Sequence, residues 1–270
     1  MAQNLKAFLD KQVADRWGPS KNEANAISAL LLDSLEYDET ARHFIADCTA
    51  ARTPSEARGH LPPMWKLVEN IARKYPEHHK KAPQLVGLLD SVHGLPDLVI
   101  RDETAVKWSD LPFLVEGWDQ IYNRPENQHS EENVFAIAFI AKLLSAQLLP
   151  RDEFLRWVDL DMCTALERGP EDPSALKKDD LVLLNVNVPI AAQWIQQAGS
   201  VIWNCESDLG LSKRQDGLWQ GNAGFSYGRW KFWKERATWV TQSKLVSPRT
   251  RDFAKEMVEE MTSIEKQDGL

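Results

Sequence analysis

The segment Arg229-Trp230-Lys231-Phe232-Trp233-Lys234-Glu235-Arg236-Ala237-Thr238-Trp239-Val240 repeats its large apolar residues at the period of an α-helix. Its apolar face recurs at i, i+3, i+7 and i+10 and consists of Trp230, Trp233, Ala237 and Val240. An adjoining edge carries Arg229, Trp233 and Arg236. The segment therefore predicts a helix that docks on other helices, with arginines placed to reach an acid, for which Glu167 is the candidate. It names no reaction.

Apolar residues follow the same 3.6-residue period over most of the chain, which predicts an all-α fold. About residues 133–149 are apolar nearly all the way round, with Lys142 as the only charge from Val134 to Leu149, so we expect the other helices to surround this one. Two runs resemble strands, Leu98–Arg101 and Leu181–Val188. A lone strand has no partner, so we predict the second run as helix or as an extended lead-in to a helix that begins at Pro189. We expect one domain over residues 1–270.

Helix starts are marked by hydroxyl and acidic residues. Ser20-Lys21-Asn22-Glu23 matches a capping box, and Thr53-Pro54-Ser55-Glu56 repeats it with proline at the first helical position. Asp38 is the predicted cap of a helix that places Cys48 in the core. A first helix is expected to carry an apolar stripe from Leu5 to Trp17 before Gly18-Pro19 ends it.

Composition limits the class of protein. The 270 residues are 43% hydrophobic and 27% charged, as in ordinary globular proteins, and no run approaches the roughly 18 apolar residues of a membrane span. The start of the chain lacks the apolar region of a secretory signal, so we expect a cytoplasmic protein without membrane attachment. A net charge of −8 opposes nucleic-acid binding.

Sequence motifs give no cofactor. Cys48, Cys163 and Cys205 are too scattered for a zinc site or a disulfide framework, and we predict three structural thiols. No phosphate-binding glycine loop is present, so we expect neither a metal nor a nucleotide or flavin. Gly224-Phe225-Ser226-Tyr227-Gly228 matches the G-x-S-x-G of serine hydrolases, but it follows a polar stretch and no histidine comes after it. Ser226 is therefore predicted to cap the helix that follows.

Several blocks of sequence together resemble a family of uncharacterised fungal proteins, the domain of unknown function 3632. They are Trp108-Ser109-Asp110-Leu111-Pro112 with Glu116 and Trp118, then Ala165-Leu166-Glu167, Ala191-Ala192-Gln193-Trp194-Ile195, and Gly224-Phe225-Ser226 followed by residues 229–236. The resemblance is strongest over residues 85–240. It implies a helical fold, a fungal source and a cytosolic protein, and it supplies no catalytic residues.

The chain has eleven tryptophans against four tyrosines, and most are predicted to fill the core between helices. A sharper hypothesis makes some of them the walls of a cavity for a hydrophobic small molecule, with a few polar groups beside them. The predicted ligand-binding residues are Trp118, Glu167, Trp194, Arg229, Trp230, Trp233 and Arg236. Binding alone, or a cofactor-free cyclisation or isomerisation, would suit such a cavity, so whether the protein is an enzyme stays open. The alternative is a structural or interaction module, and a protein partner or a homo-oligomer also stays open.

Overall fold

The computed structural model describes residues 2–75, 78–122, 131–170, 175–205, 209 and 217–269. Helix makes up 72% of the structure. In the described ranges the strands are β1 (Leu98–Ile100) and β2 (Glu103–Val106), which pair antiparallel. The all-α prediction is confirmed, and the first strand-like run is a short strand whose partner the sequence did not reveal.

Contacts divide the chain into two compact units, residues 1–139 and residues 140–270. The boundary falls inside one helix, α8 (Glu131–Ser145), and not in a loop. One domain over the whole chain stays a prediction.

The unit of residues 1–139 is built from helices around a mainly apolar core. Within it, α2 (Lys21–Leu31), α3 (Tyr37–Phe44) and α6 (His78–His93) pack on one another, and α5 (Pro54–Lys74) contacts α6, α7 (Leu114–Tyr122) and β2. Trp118 is 1% exposed, and its ring centroid lies 5.8 Å from that of Phe139. The helices are α1 (Ala2–Val13), α2 (Lys21–Leu31), α3 (Tyr37–Phe44), α4 (Ala46–Ala50), α5 (Pro54–Lys74), α6 (His78–His93), α7 (Leu114–Tyr122) and the first part of α8 (Glu131–Ser145).

The unit of residues 140–270 contains the end of α8 and four further helices, α9 (Arg151–Leu166), α10 (Lys178–Trp203), α11 (Tyr227–Gln242) and α12 (Pro248–Gln267). Helix α12 packs along both α10 and α11, and α9 packs on α10. A Cβ atom at Gly199 would lie 2.6 Å from Ile264 Cδ1, so a larger residue there would force the Ile264 side chain, on the facing side of α12, to shift. The core of the unit lies among these helices.

Helix α8 has the predicted all-round apolar character, because nearly all its side chains from Val134 to Leu144 are buried. It ends at Ser145, earlier than the predicted 149. Gln147 has a φ of 60°, and the amides of Gln147 and Leu148 donate to the carbonyls of Leu144 and Leu143. This pattern is a Schellman motif, which closes the helix and leaves Leu148 buried beyond its end.

The prediction that Pro189 begins a helix is wrong, since α10 begins at Lys178 and carries Pro189 in its interior. The Asp180 carboxylate accepts the backbone N–H of Lys177 at 2.9 Å and so satisfies a donor at the helix start. Leu184 and Val188, one turn apart, are both buried, and this is the period that the strand-like alternation concealed.

Two further predictions of helix limits are wrong. Helix α1 ends at Val13, and Trp17 is 72% exposed because the chain turns at Asp15, whose carboxylate accepts the backbone N–H of Trp17. Asp38 lies inside α3, whose N-cap is Glu36; the Asp38 carboxylate instead accepts the hydroxyl hydrogen of Ser91 on α6.

The remaining caps are confirmed. Ser20 and Glu23 form the reciprocal capping box, and the Thr53 hydroxyl accepts the backbone N–H of Glu56. Cys48 is 1% exposed, as predicted. Across the described ranges, no helix combines the length and the apolar character that crossing a membrane requires.

Candidate functional site

Helices α9 and α11 bring charged side chains together inside the unit of residues 140–270. The Ser226 hydroxyl accepts the backbone N–H of Arg229 at 3.3 Å, which starts α11 so that Arg229 lies in its first turn. Asp159, Cys163 and Glu167 are spaced four residues apart on α9 and its C-cap, so they form one stripe on the helix. The Arg229 side chain extends to this stripe.

Arg229 binds both carboxylates of the stripe. Its Nε and Nη2 donate to Glu167 Oε1 and Oε2 at 2.7 and 3.1 Å, and its Nη1 donates to Asp159 Oδ1 at 2.6 Å. Nη1 also donates to the backbone carbonyl of Gly224 at 2.7 Å, which ties the loop before α11 to the same guanidinium. The three charged residues are no more than 5% exposed. The prediction that an arginine of this helix reaches Glu167 is confirmed for Arg229.

The guanidinium remains charged in this buried position. Burial alone would lower the pKa of Arg229, but the hydrogen bond to Glu167 and the negative charges around it outweigh burial and raise that pKa above its ordinary value. Buried ions need such partners, because removing one leaves an uncompensated charge in a medium of low dielectric constant. We call Asp159, Cys163, Glu167 and Arg229 the ion cluster.

Trp233 connects the ion cluster to a pocket. Its indole Nε1 donates to Glu167 Oε1 at 2.7 Å, and the guanidinium carbon of Arg229 lies 5.0 Å from its ring centroid. Cys163 belongs to the same hydrogen-bond network, since its thiol donates to Glu167 Oε2 and its sulfur accepts from Arg229 Nη2. With its polar tip bonded and one face against a cation, the Trp233 ring has a fixed orientation.

The pocket has a volume of about 580 Å³. Its aromatic wall comes from the end of α10, the loop before α11, and α11 itself, and consists of Trp203, Phe225, Tyr227, Trp230 and Trp233. Ile202 adds an apolar side chain, and the polar lining residues are Asn204, Cys205, Ser226 and Asp268. Trp230 and Trp233 are 2% and 1% exposed, so they form the floor, whereas Tyr227 is 56% exposed and stands at the mouth.

Each tryptophan of the pocket gives its indole N–H to a carboxylate. Trp233 donates to Glu167, Trp230 donates to Glu265 on α12 at 3.0 Å, and Trp203 donates to Asp268. The donors of these three rings are thereby satisfied within the protein. What they present to the pocket is carbon, which favours an apolar or aromatic occupant.

The structure separates the predicted site residues into groups. Trp230 and Trp233 line the pocket, and Glu167 and Arg229 contact Trp233 as described. Trp194 is fully buried, with its indole Nε1 donating to Asp161 at 2.7 Å, and Arg236 donates to the Leu166 carbonyl while its guanidinium stacks over Trp239. Trp118 belongs to the unit of residues 1–139. The part of all seven in ligand binding stays a prediction.

Sequence reasoning missed Asp159 and Cys163 in the ion cluster, and Trp203, Phe225, Tyr227 and Asp268 in the pocket. The four-residue spacing of Asp159, Cys163 and Glu167 was the available signal for the cluster, since it places three polarisable groups on one side of a helix. No local pattern marked Asp268, which comes to the pocket through the packing of α12 on α10 and α11.

The structure also bears on the serine-hydrolase, disulfide and metal hypotheses. Ser226 caps α11 as predicted, and the residues described from 217 to 226 contain no strand that could form a nucleophile elbow. All three cysteines are buried thiols that form no disulfide, as predicted. Among the residues that the structure describes, no group of three or more histidine, cysteine or carboxylate side chains is arranged to hold a metal ion.

The chain belongs to the family described as Protein of unknown function (DUF3632), whose sequence profile matches residues 65–237, well over half of the chain. The matched range contains the whole ion cluster and all five aromatic residues of the pocket wall, and it ends before Asp268. No curated protein and no solved structure matches the chain.

Proposed function

We propose that this protein binds a hydrophobic small molecule in the pocket lined by residues 202–205, residues 225–227, Trp230, Trp233 and Asp268. The observation that carries the proposal is a cavity of about 580 Å³ whose wall contains five aromatic rings. Sites for small organic molecules have volumes of roughly 300–1,000 Å³ and combine apolar walls with a few polar groups.

The ion cluster supports the proposal because it fixes part of the binding surface in advance. Glu167 holds the Trp233 indole by its N–H, and Arg229 covers the ring within 5.0 Å. Phe225 then packs edge to face on the same ring, with centroids 5.9 Å apart. A wall that is already ordered costs little conformational entropy when a ligand enters, so binding energy is not lost in arranging it.

A cofactor-free transformation of the ligand is the stronger form of the proposal. It would use the rings to fold an apolar substrate and the thiol, hydroxyl or phenol groups at Cys205, Ser226 and Tyr227 to move protons. The competing class is a structural or interaction protein whose tryptophans only pack. The size of the cavity favours a ligand, because tryptophans that serve packing alone would close it.

The other parts of the proposal follow from the sequence. A cytoplasmic location, a fungal source, a single domain and the lack of a nucleic-acid partner belong to it as expectations. The family match shows which family the chain belongs to, and it indicates no ligand or reaction.

Native mass spectrometry of the protein purified from its own source tests the proposal. A retained small molecule is expected in the parent protein, and Asn204→Trp should abolish its retention because Asn204 is exposed and lines the pocket. Lys255→Trp places the same bulk at an exposed position of α12 outside the pocket and should retain the molecule. A parent protein that retains nothing, or an Asn204→Trp variant that retains as much as the parent, would favour the structural alternative.

A further inference from the structure

The pocket combines aromatic rings with negative charge. Among the described residues that line it, Asp268 is the only charged one. The face of an aromatic ring carries the negative part of its quadrupole and attracts cations, most strongly for tryptophan. A lining of three tryptophans, a tyrosine, a phenylalanine and a carboxylate is therefore favourable for a positive group.

The rings are arranged as adjoining walls. Trp203 lies edge to face with Tyr227, at 5.7 Å between centroids and an interplanar angle of 74°. It lies edge to face with Trp230 as well, at 5.1 Å and 63°. Rings that meet near right angles enclose a corner in which one ligand group can contact several faces, and substituted ammonium groups are recognised by such cages.

The hydrogen bonds of the indoles strengthen this preference. Asp268 and Glu265 accept the N–H groups of Trp203 and Trp230, and a carboxylate on an indole N–H polarises the ring toward greater electron density. Each carboxylate also adds its own negative field, which water screens less at the partly buried Glu265 than at the exposed Asp268.

Nearby cations do not cancel the negative field. Lys234 is paired with Glu265, and Arg229 is bound by both Glu167 and Asp159. At the rim, the Arg151 guanidinium lies 3.5 Å from the Asn204 carbonyl oxygen. The three carboxylates Glu265, Glu167 and Asp159 thus engage the two cations Lys234 and Arg229, and Asp268 adds a further negative charge on the lining itself. Arg151 binds backbone and contributes no side chain to the lining.

We propose that the ligand is a hydrophobic amine, an organic molecule whose substituted ammonium group sits against Trp203, Trp230 and Tyr227 with Asp268 as its counter-ion. This inference rests on the proposed function and gives its ligand a chemical class. The volume leaves space beside the ammonium group for an apolar body, which the ring of Phe225 and the side chain of Ile202 contact.

Three probes with the same benzyl body test the charge preference: benzyltrimethylammonium, its neutral carbon isostere 2,2-dimethylpropylbenzene, and phenylmethanesulfonate. Binding is followed by the change in tryptophan fluorescence and by ligand-observed nuclear magnetic resonance. The cation is expected to bind about tenfold more tightly than the neutral isostere. The sulfonate is expected to show no saturable binding.

Variants assign the preference to the named groups. Asp268→Asn should lower the ratio of cation to neutral affinity about fivefold, whereas Asp252→Asn, an exposed carboxylate on the same helix, should leave it unchanged. Tyr227→Leu should also lower the ratio of cation to neutral affinity, because it removes an aromatic face from the lining. Tyr227 is exposed, so we expect the variant to fold, and Tyr37→Leu, at another exposed tyrosine, is its control.

The outcomes separate this inference from the function on which it rests. Neutral binding equal to or tighter than cation binding, lost in Asn204→Trp, would overturn the ammonium inference and support the pocket. No binding of any probe, together with no retained molecule in native mass spectrometry, would overturn both. A cation preference that Asp268→Asn leaves intact would also overturn the assigned site.

Discussion

A single residue, Arg229, binds two buried acids at once. Glu167 and Asp159 lie on the same stripe of α9, and Arg229 supplies the positive charge that both contact. Truncation of the cation leaves two carboxylates in a buried place, while neutralisation of one acid leaves a balanced pair. The cost of a substitution in the ion cluster therefore depends on which charge it removes.

We expect Arg229→Met to lower the free energy of unfolding by about 3–5 kcal/mol, because it strands both carboxylates. Glu167→Gln should cost only about 1–2 kcal/mol, since Arg229 and Asp159 remain paired and the amide oxygen can still accept from Trp233. Urea denaturation measures both. Lys255→Met, in an exposed pair with Glu259, is the control and should change stability by less than about 0.5 kcal/mol. If Arg229→Met and Glu167→Gln lower the free energy of unfolding equally, charge balance is not what stabilises the ion cluster.

The first turn of helix α2 contributes to stability and makes that stability depend on pH. Glu23 completes the capping box of α2 while only 1% exposed. Burial raises the pKa of Glu23 from 4.5 to about 7; the hydrogen bond from the Ser20 backbone opposes this rise, and the charge of Asp47 adds to it. The folded protein thus binds this proton more tightly than the unfolded chain does.

Glu23→Gln should remove a loss of stability that accompanies rising pH. Because the pKa of Glu23 is raised in the folded protein, the stability that its protonated carboxyl contributes is fully present below about pH 4.5. This stability is lost as the pH rises toward 7, and its upper size is about 3 kcal/mol. Relative to the parent, the variant should gain stability between pH 5 and pH 8 in urea denaturation. Glu56→Gln is the matched control, an exposed acid at the same cap position of α5. If both variants respond alike, burial of Glu23 is not the cause.

The start of α11 yields a test of the hydrolase alternative. Ser226→Ala should cost about 1 kcal/mol of stability through loss of the cap, similar to Ser20→Ala at α2. A fluorophosphonate probe should leave Ser226 unlabelled, because no histidine follows it in the sequence. Covalent labelling at Ser226, read by peptide mass spectrometry, would restore the nucleophile.

The range of each interaction decided what could be predicted. The capping box at Ser20 and the hydroxyl cap at Thr53 were predictable because cap and partner lie within four residues. The second half of the box predicted at Thr53 is absent, because the Glu56 carboxylate accepts the backbone N–H of Arg52 instead. The contact of Arg229 with Glu167 was found by pairing unlike charges, yet Asp159 was missed because its facing direction depends on how α9 meets α11. The helix start predicted at Pro189 was wrong because the free energy gained by burying a long apolar helix exceeds the cost of one proline in its interior.

At the scale of the whole molecule, the boundary between the two compact units lies within α8 rather than in a linker. Linkers between independent domains are usually exposed and polar, whereas Phe139 and Ile140 on either side of this boundary are 1% and 0% exposed. A continuous buried helix is a poor place for one part of a chain to unfold while the other remains folded.

We therefore expect one cooperative unfolding transition. Fluorine resonance of protein labelled with 5-fluorotryptophan would follow Trp118 in one unit and Trp194 in the other, both nearly fully buried. Their signals should disappear at the same temperature. Assignment uses Trp118→Phe and Trp194→Phe. Two midpoints several degrees apart would show that the units unfold separately and would refute the single-domain prediction.

The packing of α12 against Gly199 of α10 has a consequence for folding during synthesis. Helix α10 is synthesised before α12, so the side of Gly199 that receives Ile264 has no partner from α12 until residues 248–267 are made. Helix α9 is available earlier and packs on α10 as well. We therefore expect the nascent chain to expose an apolar surface on α10 for a time, and the pocket to be complete only once α12 has packed and Asp268 has joined the lining.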